Sequence, residues 1–136
     1  MGNYIITLTL LLNITTMAMT DMNYKNFQYP LETEYLSLAE KLKNEMLINH
    51  LNDSAIADNN TDLNDLIVMA KSSFIPNLFD MAIRLEKVDA AVCSFKLGMY
   101  GLCADCEEEI EYSDLEQDPA QPRCKACREH SRYHHD

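Results

Sequence analysis

Cys103-Ala-Asp-Cys106 and Cys124-Lys-Ala-Cys127 are two Cys-x-x-Cys pairs with seventeen residues between them. Each pair bends the chain tightly enough to present two thiolates to one ion, and the intervening loop crosses back to join the pairs. This spacing predicts a structural zinc site, because Zn²⁺ accepts four sulfurs tetrahedrally without a geometric preference of its own. Four thiolates fill the coordination shell. No position remains for water, so the predicted metal holds shape and performs no hydrolysis. Folding of this segment should be coupled to the metal, and removing the metal should melt it.

Other uses of these cysteines fit less well. A redox Cys-x-x-Cys needs an activated thiolate, usually at a helix start after a strand, and no βαβ pattern precedes either pair. Disulfides would need an oxidising compartment, and the chain has no convincing secretion signal; a cytoplasmic location is expected. The fifth cysteine, Cys93, reads as a small hydrophobe beside Phe95. His130, His134 and His135 lie near the second pair, but four cysteines already complete a zinc shell. No nucleophile–base pair or open metal site is visible, so no enzyme activity is expected.

The 136 residues carry 22 acids against 11 bases, a formal charge of -11. That sign opposes affinity for a nucleic-acid backbone, which comes largely from basic side chains meeting phosphate. A basic protein surface is the better-matched partner. Glu107, Glu108, Glu109 and Glu111 crowd the first cysteine pair, while Arg123, Lys125, Arg128 and Arg132 follow or flank the second. The bases read as offsetting a four-thiolate centre and its acidic neighbours.

The elements that must position this centre are helical. Leu31, Tyr35, Leu38, Leu42 and Met46 recur at three and four, with Leu47 and Leu51 on a neighbouring stripe, predicting a helix over residues 31–51. Short polar residues over 52–61 predict a turn, with Thr61 or Asp62 capping the next helix. Leu63, Leu66, Ile67, Ala70 and Phe74 restore the helical spacing, and Pro76 either kinks the helix or marks its restart. Leu78, Phe79, Ala82, Ile83, Leu85, Val88, Val92 and Phe95 carry the pattern to Gly98, which stops it. The expected fold is mainly α: an antiparallel, coiled-coil-like helical hairpin over 31–97 with its tip near 52–65. A small four-cysteine zinc finger and short C-terminal helix follow over 98–136, with Ile110 and Leu115 as the finger's own core.

Residues 1–30 form an apolar segment and a linker, with residues 23–29 read as the linker proper. Tyr4 through Met19 lack charge but fall short of the roughly 20 residues a membrane span needs. They also lack the basic start of a signal peptide. The segment reads as docking on the helices behind it, or as an extension upstream of a start at Met17, Met19 or Met22. If helical, it would cover part of the longer second arm. Gly2 lacks the Ser or Thr at position 6 that acylation requires; Ile6 stands there.

Tyr100-Gly101-x-Cys103-x-x-Cys106, Ile110, Leu115, Pro119 and Cys124-x-x-Cys127, preceded by Gly98 and an arginine-bearing helix, resemble the TraR/DksA-type zinc-finger proteins. The resemblance is specific over residues 98–127 and architectural over 31–97. It implies a bacterial transcription regulator that binds RNA polymerase rather than DNA, its hairpin entering the secondary channel. Family tips carry Asp-x-x-Asp-x-Ala; the counterpart here is Asp62-Leu-Asn-Asp65-Leu-Ile67, with Asp58 and Asp62 as a second pair. Asp58, Asp62 and Asp65 are therefore the expected partner-binding tip, set against a plainer role as caps and turn residues. Glu107 replaces the glycine that often follows the second cysteine, and Asp114 stands where a basic residue is common.

Three functions are consistent with these features. The first is a non-catalytic, polymerase-binding regulator with structural zinc. The second is a zinc-stabilised adaptor for another protein. The third, least in keeping with the charge, is a small nucleic-acid-binding zinc protein. Oligomeric state stays open, because the apolar face around Leu78–Phe95 is wide enough for residues 4–19 or another subunit.

Overall fold

The computed structural model describes residues 3–51 and 53–131, with side chains placed for residues 24–51, 54 and 56–130. Its elements are α1 (Asn3–Ile48), α2 (Asp53–Ala57), α3 (Leu63–Ser72), α4 (Pro76–Lys96), α5 (Tyr112–Gln117) and α6 (Lys125–Ser131). Among the described residues the only strand-like feature is an isolated antiparallel bridge, Leu102 to Glu109. The fold is mainly α, with the cysteine cluster in the C-terminal region. No helix among the described residues is long and apolar enough to cross a membrane.

α1 and α4 form the antiparallel pair, as the core shows. At one end Phe27 and Leu31 of α1 pack with Val88 and Ala91 of α4 and with Cys103, Ile110, Leu115 and Ala120. At the other end Leu42 and Met46 meet Leu78, Ala82 and Leu85, joined by Ile56, Leu66, Ile67 and Ala70. Tyr35 and Leu38 touch both clusters. The hairpin therefore has a finger end and a far end. α4 begins at the far end with Pro76 and reaches the finger at Lys96.

Three boundaries differ from the periodicity reading. Residues 23–29 are not a linker but part of α1, which runs through Pro30. A proline inside a helix costs roughly 3 kcal/mol. Burial of Phe27 and Leu31 on either side of it, roughly 1.5–3 kcal/mol each, offsets that cost, so tertiary packing overrides the local break. The first helix also ends at Ile48 rather than 51, where His50 turns left-handed at φ 54°. The predicted turn over 52–61 contains the single-turn helix α2.

The second arm is two helices. α3 ends in the turn Ser73-Phe74-Ile75 and packs against α4, tied to it by Lys71 Nζ at 3.1 Å from Glu86. Pro76 restarts the helix at its first position, where a missing N–H costs nothing. The far end is thus a small bundle of α1 to α4. Residues 4–19 are helical; what their side chains pack against lies outside the described residues.

Candidate metal centre

α4 ends at Leu97, and Gly98 follows at φ 68°, a left-handed conformation that favours glycine. Gly101 sits at φ 86° with its Cα so close to Tyr24 that a Cβ would lie 3.0 Å from the ring. Both requirements exclude a side chain there. These two turns bring the chain across the finger end of α1 and into Cys103. Tyr100 stacks on Phe95 with ring centroids 3.9 Å apart, and its hydroxyl donates to the Pro119 carbonyl at 2.7 Å. Burial, then the Asp118 charge, holds that phenol well above its ordinary pKa, so it stays a donor.

The first cysteine turn is closed by Glu107 N–H donating to Cys103 O at 3.0 Å and Cys103 N–H donating to Glu108 O at 2.8 Å. Glu107 adopts φ 62°, the conformation that explains why glycine commonly follows such a pair. Ala104 N–H donates to Pro122 O at 2.8 Å, and Arg123 meets Asp105 at 3.0 Å. These two links bring the second pair against the first. Cys124 precedes α6, Cys127 lies within it, and Arg128 N–H donates back to Cys124 O at 3.0 Å.

The four cysteine sulfurs lie within 4.8 Å of one another, with Cys106 and Cys124 Sγ 3.7 Å apart. A disulfide would place two of them about 2.05 Å apart. A zinc–thiolate tetrahedron with bonds of about 2.3 Å has edges of about 3.8 Å. The arrangement therefore fits a four-sulfur ion. Cys103 is buried, while Cys106 is exposed. Burial alone would raise the Cys103 thiol, but backbone N–H groups of Cys106, Cys124 and Asp105 outweigh it and bring it down to about 6. Hydrogen bonding to Cys124, Cys106 and Cys103 pushes Cys127 up. The Cys103 thiolate forms readily while Cys106 and Cys127 resist a second negative charge beside it, a conflict that a cation resolves.

Around the centre, charges pair internally. Arg128 meets Asp114 at 2.7 Å, tying α6 to α5. With Arg123 on Asp105, two of the basic cluster's members are committed to acids of the finger itself, in keeping with the offsetting role read from sequence. Arg132 lies outside the described residues, as do His134 and His135. His130 is exposed and is not among the clustered ligand atoms.

A second set of residues was not singled out by sequence. Arg84 of α4 donates from Nε and Nη2 to Glu34 of α1 at 2.7 and 3.0 Å, and from Nη1 to Asp118 at 3.0–3.1 Å. Lys87 reaches the same Asp118 at 2.9 Å. Burial opposes ionisation of Asp118, but Lys87, the Ala120 N–H and Arg84 together hold its carboxyl below the ordinary value. This interlock fixes the finger to both helices. The available signal was Asp118 before Pro119-Ala120, an aspartate placed to accept the Ala120 N–H two residues on, at 3.0 Å.

The expected tip acids are brought together with one another but not with the cysteines. Asp62 caps α3, accepting from Asn64 N–H at 3.3 Å, and Asp58 accepts from Asn60 N–H at 2.9 Å. Asp65 lies in the first turn of α3, and all three are exposed. Asp62 is near enough to Tyr35 to help raise its phenol pKa, behind burial and the charges of Asp89 and Cys93. α3 runs into the turn that opens α4 at the far end, so Asp62, at the opposite end of α3, stands back from the far end toward the middle of the α1–α4 pair. Cys93 is exposed, its Sγ 4.0 Å from Asp89, rather than packed beside Phe95; it falls off the stripe of Val88, Ala91, Val92 and Phe95. Comparison with models of known families, with characterised proteins and with solved structures finds no match to this chain.

Proposed function

We propose that this chain is a non-catalytic transcription regulator that binds bacterial RNA polymerase, its helical hairpin entering the secondary channel and its four cysteines holding Zn²⁺. The observation that carries the reading is the closed four-sulfur cluster at the base of an antiparallel helix pair. The Arg84–Glu34–Asp118 interlock makes base and pair one rigid probe. A saturated four-thiolate ion offers no site for substrate, so its use is to set the angle at which the hairpin is presented. The residues resembling the TraR/DksA-type proteins, from Gly98 to Cys127, are the ones that build this base. An acidic helical probe also suits a channel lined by basic groups.

The experiment is binding of the zinc-loaded chain to purified polymerase, with competition by a known occupant of the secondary channel. Micromolar or tighter binding that the competitor displaces is the expected result. No binding at micromolar concentration and low salt overturns the proposal.

A zinc-stabilised adaptor for a different protein is the second reading. It is favoured by the position of Asp62, which caps α3 back from the far end, toward the middle of the hairpin. No binding to polymerase, together with binding to another protein that Asp62 and Asp65 substitutions leave intact and changes to exposed residues over 35–51 abolish, would select it.

A further inference from the structure

The turn joining α3 to α4 stands at the far end of the hairpin, because α4 starts there. It is held from both sides. The Ser73 hydroxyl donates to Ala70 O at 2.7 Å and accepts from Ile75 N–H at 3.3 Å. Ile75 packs on the far-end core, and Pro76 opens α4. Phe74, caught between these anchors, adopts φ 59°.

This is the residue just past a helix C-terminus, where glycine or asparagine ordinarily takes the left-handed conformation. The usual compensation for an apolar residue there is a contact back onto the last helical turn. Phe74 makes none that shields it: it is 94 % exposed. The fold thus holds a bulky aromatic in a strained backbone conformation and leaves its ring in water. Strain of this kind is retained where the surroundings over-determine it, and clusters at functional positions.

Phe74 is not isolated. It lines an open groove of about 350 Å³ with Lys71, Ile75, Pro76, Phe79 and Asp80, and Phe79 is itself 43 % exposed. Lys71 is committed to Glu86, which leaves Asp80 to set the sign of the rim. The chain as a whole carries 22 acids against 11 bases. A second copy would bring the same negative field to the contact, so self-pairing is opposed. The complementary occupant is a different protein whose apolar recess is rimmed by lysine or arginine.

We propose that Phe74, supported by Phe79, is the anchor by which the far end of the hairpin docks into an apolar, basic-rimmed recess of its partner protein. This rests on the polymerase reading for the partner's identity. It moves the principal contact from Asp58, Asp62 and Asp65 to an aromatic side chain. A single exposed aromatic entering a dry pocket commonly dominates an interface of this kind.

The test compares zinc-loaded wild type, Phe74→Gly, Phe74→Leu and the Asp62→Asn/Asp65→Asn double variant for equilibrium binding to purified bacterial RNA polymerase, with Tm read in parallel. Phe74→Gly relieves the left-handed strain, so its Tm should rise by about 3 °C. Its affinity should fall about 30-fold, the usual loss for an aromatic anchor. A variant more stable yet weaker in binding cannot owe the loss to misfolding. Phe74→Leu should keep most of the affinity, and the double aspartate variant should lose less than Phe74→Gly. Wild-type affinity in Phe74→Gly would overturn this inference and leave the polymerase reading standing. Absence of wild-type binding would overturn both. A dimer in sedimentation that Phe74→Gly dissociates would overturn the choice of partner, assigning the groove to a second copy.

Discussion

At residue scale the sharpest features are the positions where a side chain stands in a conformation that suits glycine. Glu107 closes the first cysteine turn at φ 62°. Its substitution by glycine removes a left-handed penalty of about 1–2 kcal/mol without touching a ligand. Glu107→Gly is therefore expected to stabilise the finger by about 1 kcal/mol, read as a higher Tm and slower loss of metal to a chelator. A lower Tm would mean that the Glu107 carboxylate makes an interaction worth more than the strain. Asp118 permits a prediction with a definite sign. Its carboxyl is held below the ordinary carboxylate range by Lys87, the Ala120 N–H and Arg84, which outweigh the opposing effect of burial. A folded-state pKa below the unfolded one contributes stability above the unfolded value of about 4, lost as pH falls through the folded value. Asp118→Asn should therefore cost about 1–2 kcal/mol at pH 6, after allowance for its partial exposure. The difference from wild type should shrink below pH 4, as urea midpoints across that range would show. A gap that stayed constant with pH would separate the residue's contribution from its charge.

At the scale of elements, α1 is the instructive case. Its continuity through Pro30 depends on Phe27 and Leu31, both buried at the finger end. Pro30→Ala restores an N–H and removes a clash with the preceding turn. It should raise stability by about 1–2 kcal/mol, part of the roughly 3 kcal/mol by which an interior proline is less favourable than alanine. Helicity and a denaturation midpoint would check this; an unchanged midpoint would mean the local break carries little penalty here. α3 and α4 show the converse. Their shared periodicity runs through Pro76, but the left-handed Phe74 and the Ser73 hydroxyl separate them, and α3 folds against α4.

For the whole molecule, two core clusters share one helix pair. The cluster at the finger end includes Cys103 itself, so a metal held by the four cysteines would brace it. The far-end cluster of Leu42, Met46, Leu66, Leu78 and Leu85 contains no residue of the finger. Removing the metal should expose amides over 100–128 to hydrogen exchange, along with the finger-end faces of α1 and α4. Amides in 42–46, 66–70 and 78–85 should keep their protection. Uniform loss of protection throughout would show that Tyr35 and Leu38, which touch both clusters, couple them into one cooperative unit.

Much of this was legible because it is local. Cys103, Cys106, Cys124 and Cys127 announce a four-sulfur site by spacing alone, and the structure brings their sulfurs to tetrahedral separation. Leu42, Met46, Leu66, Leu78, Leu85 and Val88 announce helical faces by periodicity, and all are buried. Gly98 and Ile110 declare a helix stop and a finger core by residue type. Long-range packing settled the rest. Whether α1 would cross Pro30 depended on apolar area supplied by the finger, near the other end of the chain. Which acid would accept Arg84 depended on the path of the finger loop, and Asp118 was chosen over many others. Whether Phe74 would be core or surface depended on a turn that reversed the chain just before α4. Spacing encodes what one segment can bury or bind; only the assembled chain determines which segment meets it, because that choice is made by energies shared between distant residues.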